Sequence, residues 1–134
     1  MDVARKVTDD FWIAGQLTPQ DVRDAAGAGF RAIVNNRPDG EAPGQPTGSE
    51  IEAAAREAGL DYRAIPVHGR LGQEEIEAMR ATLDAADGPV LGYCAVGFRS
   101  LVAWAYAEAA AGRRSRDELI ILGRGAGFDL SNAL

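Results

Sequence analysis

The stretch Val90 to Trp104, VLGYCAVGFRSLVAW, most limits what this chain can fold into. The Gly88-Pro89 turn signal precedes a short apolar run, Val90 to Tyr93, which reads as a buried strand. Cys94, the chain's one cysteine, ends that run. Gly97 and Arg99 then fall within a tight loop. Ser100 suits a helix start, with Leu101, Trp104 and Ala105 following at helical spacing. A thiol is therefore expected where a strand turns into a helix.

Such a junction has a chemical use. The first N–H groups of a helix have no partner within it, and the helix dipole is positive there. A loop wrapped round the terminus aims N–H groups inward and makes an anion cradle. A thiol in the cradle is favoured as thiolate by the dipole and by a cation such as Arg99. Gly97 gives the loop a backbone conformation that most residues resist. Cys94 and Arg99 are thus the catalytic candidates, and Ala95, Val96, Gly97, Phe98, Arg99 and Ser100 the anion-binding loop. The ordinary alternatives are a small buried cysteine, an ion-paired surface arginine and a serine that serves only as a helix cap.

The rest of the chain alternates strands with helices. Arg5 to Val7 and Phe11 to Ala14 read as two short strands joined by a turn. Thr18-Pro19 opens a helix that Gly27 or Gly29 ends. Arg31 to Asn35 is a strand, and Asn36 to Gly48 a long Gly/Pro-rich loop of the kind that is usually functional or mobile. Ser49 begins a helix closed by Gly59, Asp61 to Val67 is a strand, and His68 to Gly72 a loop. Gln73 to Ala86 is a helix with Ile76, Met79, Arg80 and Leu83 at periodic positions. Ser115 caps a last helix through Leu122, broken by Gly123 to Gly127, with Phe128 to Leu130 as a final turn. The pattern predicts one α/β domain over 1–134, its mostly parallel sheet covered by helices on both faces. Ligands then belong at the carboxyl ends of the strands. That end gathers Cys94 with the Asn36 and His68 loops, so Asn36, Arg37, Asp39 and His68 are candidate pocket-rim residues. Arg37 and Asp39 could equally pair with each other around the Pro38-Asp39-Gly40 turn.

These residues carry a resemblance. Cys94, four residues, Arg99 and Ser100, with Gly97 between, resemble the active loop of rhodanese-type sulfurtransferases; cysteine phosphatases use five intervening residues. The segment VNNRPDGEAPGQP (Val34 to Pro46), with Ile65-Pro66-Val67 and the Cys94 loop, is similar to the DUF442 or beta-lactamase hydrolase-like (Blh) phosphatase-like domain. The resemblance runs from Gly15-Gln16 to Gly127–Leu130. It implies the three-layer fold of dual-specificity cysteine phosphatases and no cofactor. It also implies a sulfane-sulfur donor or a phosphorylated substrate, with a metallo-beta-lactamase-type hydrolase as a candidate partner.

Of the two reactions, sulfur transfer is expected first. The loop is one residue short of the phosphatase pattern, and His68-Gly69 stands where those phosphatases place an acidic Asp. Sulfur transfer needs no strong acid, and a compact loop suits the single terminal sulfur of a Cys94 persulfide. The alternatives are a phosphatase working through a phosphocysteine and a non-catalytic oxyanion- or persulfide-binding module. Fourteen basic against 20 acidic residues give a net charge of −6, which argues against nucleic acid. No segment reads as membrane-spanning or as a signal peptide, and one cysteine with one histidine argues against a zinc site. A free nucleophilic thiol fits a reducing compartment, so a cytoplasmic setting is expected.

Overall fold

The computed structural model describes residues 1–134. Its elements are β1 (Arg5–Lys6), β2 (Phe11–Ala14), α1 (Pro19–Gly27), β3 (Ala32–Asn35), α2 (Gly48–Glu57), β4 (Asp61–Ala64), α3 (Gln73–Ala85), β5 (Val90–Tyr93), α4 (Phe98–Ala110) and α5 (Arg116–Gly125). The strands form one sheet in the order β1-β2-β5-β3-β4. Only β1 is antiparallel to its neighbour. β5 lies in the middle, as its wholly apolar sequence requires for a strand covered on both faces.

Alternation along the strands divides the core into two layers. Phe11, Ile13, Val34 and Val90 join Met79, Leu101, Trp104 and Leu119 of α3, α4 and α5. On the other face Ile33, Leu91 and Tyr93 pack with Val22, Ala25, Ile51 and Ala55 of α1 and α2. Trp104 anchors the first layer. It is 1% exposed, and its ring stacks on Phe11 at 5.6 Å with an interplanar angle of 4°. Full burial of a side chain that size contributes roughly 2–3 kcal/mol. Gly92 brings α4 close to the sheet, because a Cβ there would stand 3.1 Å from Phe11 Cζ and 3.3 Å from Ser100 Cβ.

The parallel register aligns the strand ends that matter. Ala14 and Asn35 both lie opposite Tyr93, and Asn35 lies opposite Ala64. Four connections therefore leave one edge together: Gly15–Thr18, the Cys94 loop, Asn36–Thr47 and Ile65–Gly72.

Several boundaries differ from the sequence reading. α2 starts at Gly48 with Thr47 as its cap, since the Thr47 hydroxyl accepts the Glu50 N–H at 3.2 Å. β4 ends at Ala64 because Pro66 has no N–H for the ladder, although Ile65 and Val67 still donate to Asn35 and Asn36. α4 starts at Phe98, so Ser100 lies inside its first turn and is not its cap. α5 runs through Gly123 to Gly125. Gly123 is a contact point and does not break the helix: a Cβ there would lie 2.8 Å from Leu130 Cδ1, so its bareness seats the final turn.

We expect Trp104→Ala to lower stability by about 3–5 kcal/mol, read as a fall in the urea midpoint, and Val96→Ala, on an exposed loop position, to change it by less than about 0.5 kcal/mol. Equal midpoints for the two variants would contradict this account of the core.

Candidate active site

β5 delivers Cys94 to the sheet edge, where its side chain is fully buried. The Cys94 N–H donates to Ala14 O at 3.3 Å, which ties the start of the loop to β2. The chain then turns through Gly97, whose φ of 99° lies in the left-handed region that favours glycine. This turn points the Gly97 N–H back at Cys94 Sγ, 3.1 Å away. Gly15, just beyond β2, opposes the loop with no room for a side chain: a Cβ there would be 3.0 Å from Ala95 O.

The N–H groups of Ala95, Val96, Phe98, Arg99 and Ser100 have no acceptor within the protein. Those of Phe98, Arg99 and Ser100 belong to the first turn of α4, where no intrahelical acceptor exists. Two others come from the loop itself. The chain therefore leaves five backbone donors unpaired in the stretch that follows Cys94. Phe98 packs on Phe128 at 5.5 Å. Ser100 is 0% exposed, and its hydroxyl is buried without a hydrogen-bond partner.

Arg99 is held by a residue that the sequence reading did not single out. Its Nη1 and Nη2 donate to Glu41 Oε2 and Oε1 at 2.7 and 2.8 Å, and Nη1 also donates to Val67 O at 3.0 Å. Glu41 receives a second guanidinium, with Arg37 Nε donating to Oε1 at 3.1 Å. Arg37 Nη1 donates in turn to Gln16 Oε1 at 3.0 Å. The Arg99 hydrogen bonds, with further help from Arg37, hold the Glu41 carboxyl down to about 2. Arg99 is pushed up, chiefly by the Glu41 carboxylate and in smaller part by the Cys94 sulfur beside it. Nothing in their spacing pairs positions 41 and 99. The only sequence signal was an acid within the Gly/Pro-rich loop.

The remaining rim candidates separate. Asn36 is fully buried and works as a stitch: its N–H donates to Tyr93 O, its amide to Ile65 O, and its carbonyl accepts from Val67. It lies beneath the rim, which corrects the expected position. Arg37 reaches the site through Glu41. Asp39 does not pair with Arg37; its Oδ1 accepts the Gly48 N–H at 2.8 Å at the start of α2. His68 is exposed on the loop after β4. Burial holds the Tyr62 and Tyr93 phenols up, so both remain neutral neighbours under the loop.

Arg99 also lines a cleft of about 410 Å³ with Val67, Leu71, Phe98, Val102 and Tyr106. A cavity of about 360 Å³ beside Val90 and Trp104 lies at the opposite ends of β2 and β5 and contains none of these groups.

The Glu41 pairing carries a pH dependence of known sign. Its carboxyl titrates near 2 in the folded chain, against an ordinary 4.5 when unfolded. The stability it supplies is full above the ordinary value and is lost as pH falls from there through about 2. Glu41→Gln is therefore expected to be less stable than the parent at pH 7, with the difference closing toward pH 2. Denaturant midpoints across that range would show it, and a constant difference would refute it.

Comparison with known proteins follows the same lines. The family model for the phosphatase-like domain of beta-lactamase hydrolase-like proteins matches residues 3–111. The beta-lactamase hydrolase-like protein of Xylella fastidiosa is 41% identical over 123 residues, which cover 91% of this chain and 28% of that protein. The chain thus spans less than a third of the length of the curated relatives it matches. Among solved structures, a candidate phosphatase from Neisseria meningitidis superposes with a TM-score of 0.84 at 33% identity, covering 98% of this chain and 93% of that one. A kinase-associated phosphatase shares the fold at 13% identity, with a TM-score of 0.71 over 87% and 75% of the two chains. The sheet and its covering helices are accordingly those of a cysteine-phosphatase-like fold, and the chain belongs to the family of beta-lactamase hydrolase-like phosphatase-like domains, DUF442.

Proposed function

We propose that this chain is a cysteine-dependent phosphatase acting on phosphate monoesters with stable leaving groups, aryl esters first. The observation that carries the reading is the set of five acceptorless N–H groups around Cys94, beside the Arg99 guanidinium. A phosphoryl group offers three terminal oxygens to such donors, whereas a persulfide offers one terminal sulfur. The N. meningitidis relative supports the same side. Sulfur transfer, the first expectation from the sequence, therefore gives way to phosphoryl transfer. The argument from a short loop counted residues, but the donors that an anion meets depend on where the N–H groups are left free.

In the proposed reaction the Cys94 thiolate attacks phosphorus. An S–P bond forms as the ester P–O bond breaks, and the bonding pair leaves with the phenoxide, which is protonated by solvent. Water then attacks phosphorus, loses a proton to solvent, and the S–P bond breaks to return thiolate and inorganic phosphate. The cradle N–H groups and Arg99 stabilise the charge that gathers on the equatorial oxygens. Asp39 is engaged at α2, and no acidic side chain follows β4 at the position of His68. A phenoxide tolerates leaving without an acid and an alkoxide does not. The apolar part of an ester has a place in the cleft that Arg99 shares with Leu71, Phe98, Val102 and Tyr106.

The expected result is aryl phosphate turnover that Cys94→Ser abolishes, with alkyl phosphates slower by at least about 10²-fold, the contribution a positioned acid would make. Equal rates on aryl and alkyl esters would overturn the leaving-group reading. No turnover of either, with a mass gain of one sulfur on incubation with thiosulfate, would return the assignment to sulfur transfer.

A further inference from the structure

The sheet ends in β1 on one side and β4 on the other. β1 is only Arg5–Lys6, so β4 is the longer open edge. Asp61 and Ile65 donate their N–H groups to Arg31 O and Asn35 O, on the β3 side. Backbone groups alternate in direction along a strand, so the N–H and C=O of Tyr62 and Ala64 point away from the sheet. Leu60 spends its own N–H on Ala55 O and leaves its carbonyl on this outer side. The edge therefore presents a short row of backbone donors and acceptors that β3 does not use.

An antiparallel strand from a second copy, related by a two-fold axis, can meet this edge in two registers. With Tyr62 opposite Tyr62, the two tyrosines exchange both N–H···O bonds, and each Ala64 N–H reaches a Leu60 carbonyl. With Arg63 opposite Arg63, each Tyr62 instead exchanges its bonds with an Ala64. Both registers make the same number of hydrogen bonds, so bonding does not choose between them. Charge does. The first sets Asp61 against Arg63 of the second copy, twice by symmetry, and the second sets two arginines against each other. Within one chain both residues are exposed and neither forms an ion pair. Charges on an edge strand ordinarily turn other strands away. Here they have opposite signs and stand two residues apart, so they complement the same edge of another copy.

The flanking helices leave the space this needs. Tyr62 packs with the layer of α1 and α2, which puts Asp61 and Arg63 on the α3 side of the sheet. There they line a groove of about 230 Å³ with Ala81, Thr82 and Ala85 of α3. Those small side chains leave room for the ion pairs between the edge and the helix.

We infer that β4 is a self-association edge: two copies of this chain join antiparallel about Tyr62 into one continuous sheet, with the Asp61–Arg63 pairs fixing the register. The strands of the two copies run in opposite directions, so their Cys94 loops open at opposite ends and neither covers the other. The inference does not depend on the reaction at Cys94.

Sedimentation equilibrium under reducing conditions tests it, with chain up to about 1 mM, a range that reaches small, weak interfaces. The parent chain should show a monomer–dimer equilibrium. Asp61→Arg and Arg63→Asp should each weaken it at least about tenfold, because each change sets like charges opposite one another twice. An equimolar mixture of the two variants should associate again, to within about threefold of the parent, since one copy then carries two cations and the other two anions. Ala64→Pro, tolerated at an edge because that N–H faces away from β3, should weaken the dimer about as much as the single charge changes. If a charge reversal fails to fold, Asp61→Asn and Arg63→Gln are read in its place, with an expected loss of about threefold. A chain that stays monomeric throughout would overturn the inference and leave the edge to an extended segment of another protein. A dimer indifferent to Asp61→Arg, or variants that do not recover on mixing, would place the contact elsewhere and overturn it as well.

Discussion

The left-handed turn at Gly97 is the constraint on which the site depends. It lets α4 begin immediately beyond Cys94, so the chain passes from a buried strand to a buried helix in four residues. A longer connection would move the helix start away from the sulfur and scatter its free N–H groups. The turn is held from both sides. Gly92 and the Phe11–Trp104 stack fix the distance of α4 from the sheet, and Gly15 admits the Ala95 carbonyl against β2. Core packing and site geometry are therefore one arrangement, since the apolar contacts that seat α4 also aim its first turn at Cys94.

Around this rigid centre the protein sets local charge against its overall charge. A chain of net charge −6 repels anions at long range. At the sheet edge, however, two arginines face one carboxylate, and the free donors of the cradle lie beside them. The loop that supplies Arg37 and Glu41 is tied into shape by its own side chains. Asp39 accepts from Gly48, Gln45 donates to Pro38 O, and Gln45 Oε1 accepts the Glu41 N–H. These contacts give a Gly/Pro-rich segment the order needed to hold a charged pair at hydrogen-bonding distance.

The likeness to phosphatases and the donor arrangement point to the same chemistry for independent reasons. The family match concerns ancestry and fold, whereas the free N–H groups concern which anion can be satisfied. The short loop, together with the missing Asp after β4, favoured sulfur, and the loop argument treats the cradle as a container measured in residues. The relevant quantity is the number of unpaired donors and the charge they face. The position after β4 carries the opposite kind of information. With His68 exposed and Asp39 committed to α2, no acid stands ready beside the loop, which under the proposed phosphatase reading narrows the esters that would be cleaved.

The sequence by itself determined the order of strands and helices, the buried β5, and the placing of Cys94, Gly97 and Arg99 together where β5 turns into α4. Each of these is local: an apolar run, a cap, a glycine, a spacing within a dozen residues. Periodicity also identified the inner faces, although Thr82 joined Met79 on α3 where Ile76 and Leu83 were expected, and both of these are only half-buried. Tertiary structure alone decided the rest. Asn36 became a buried stitch, Asp39 turned to α2, and Arg37 met Glu41 and Gln16. Glu41 joined Arg99 across 58 residues. Long-range ion pairs leave no periodic trace, because any exposed acid near any exposed base satisfies the same composition. Only the parallel register that brings the ends of β2, β3, β4 and β5 to one edge selects which of them meet.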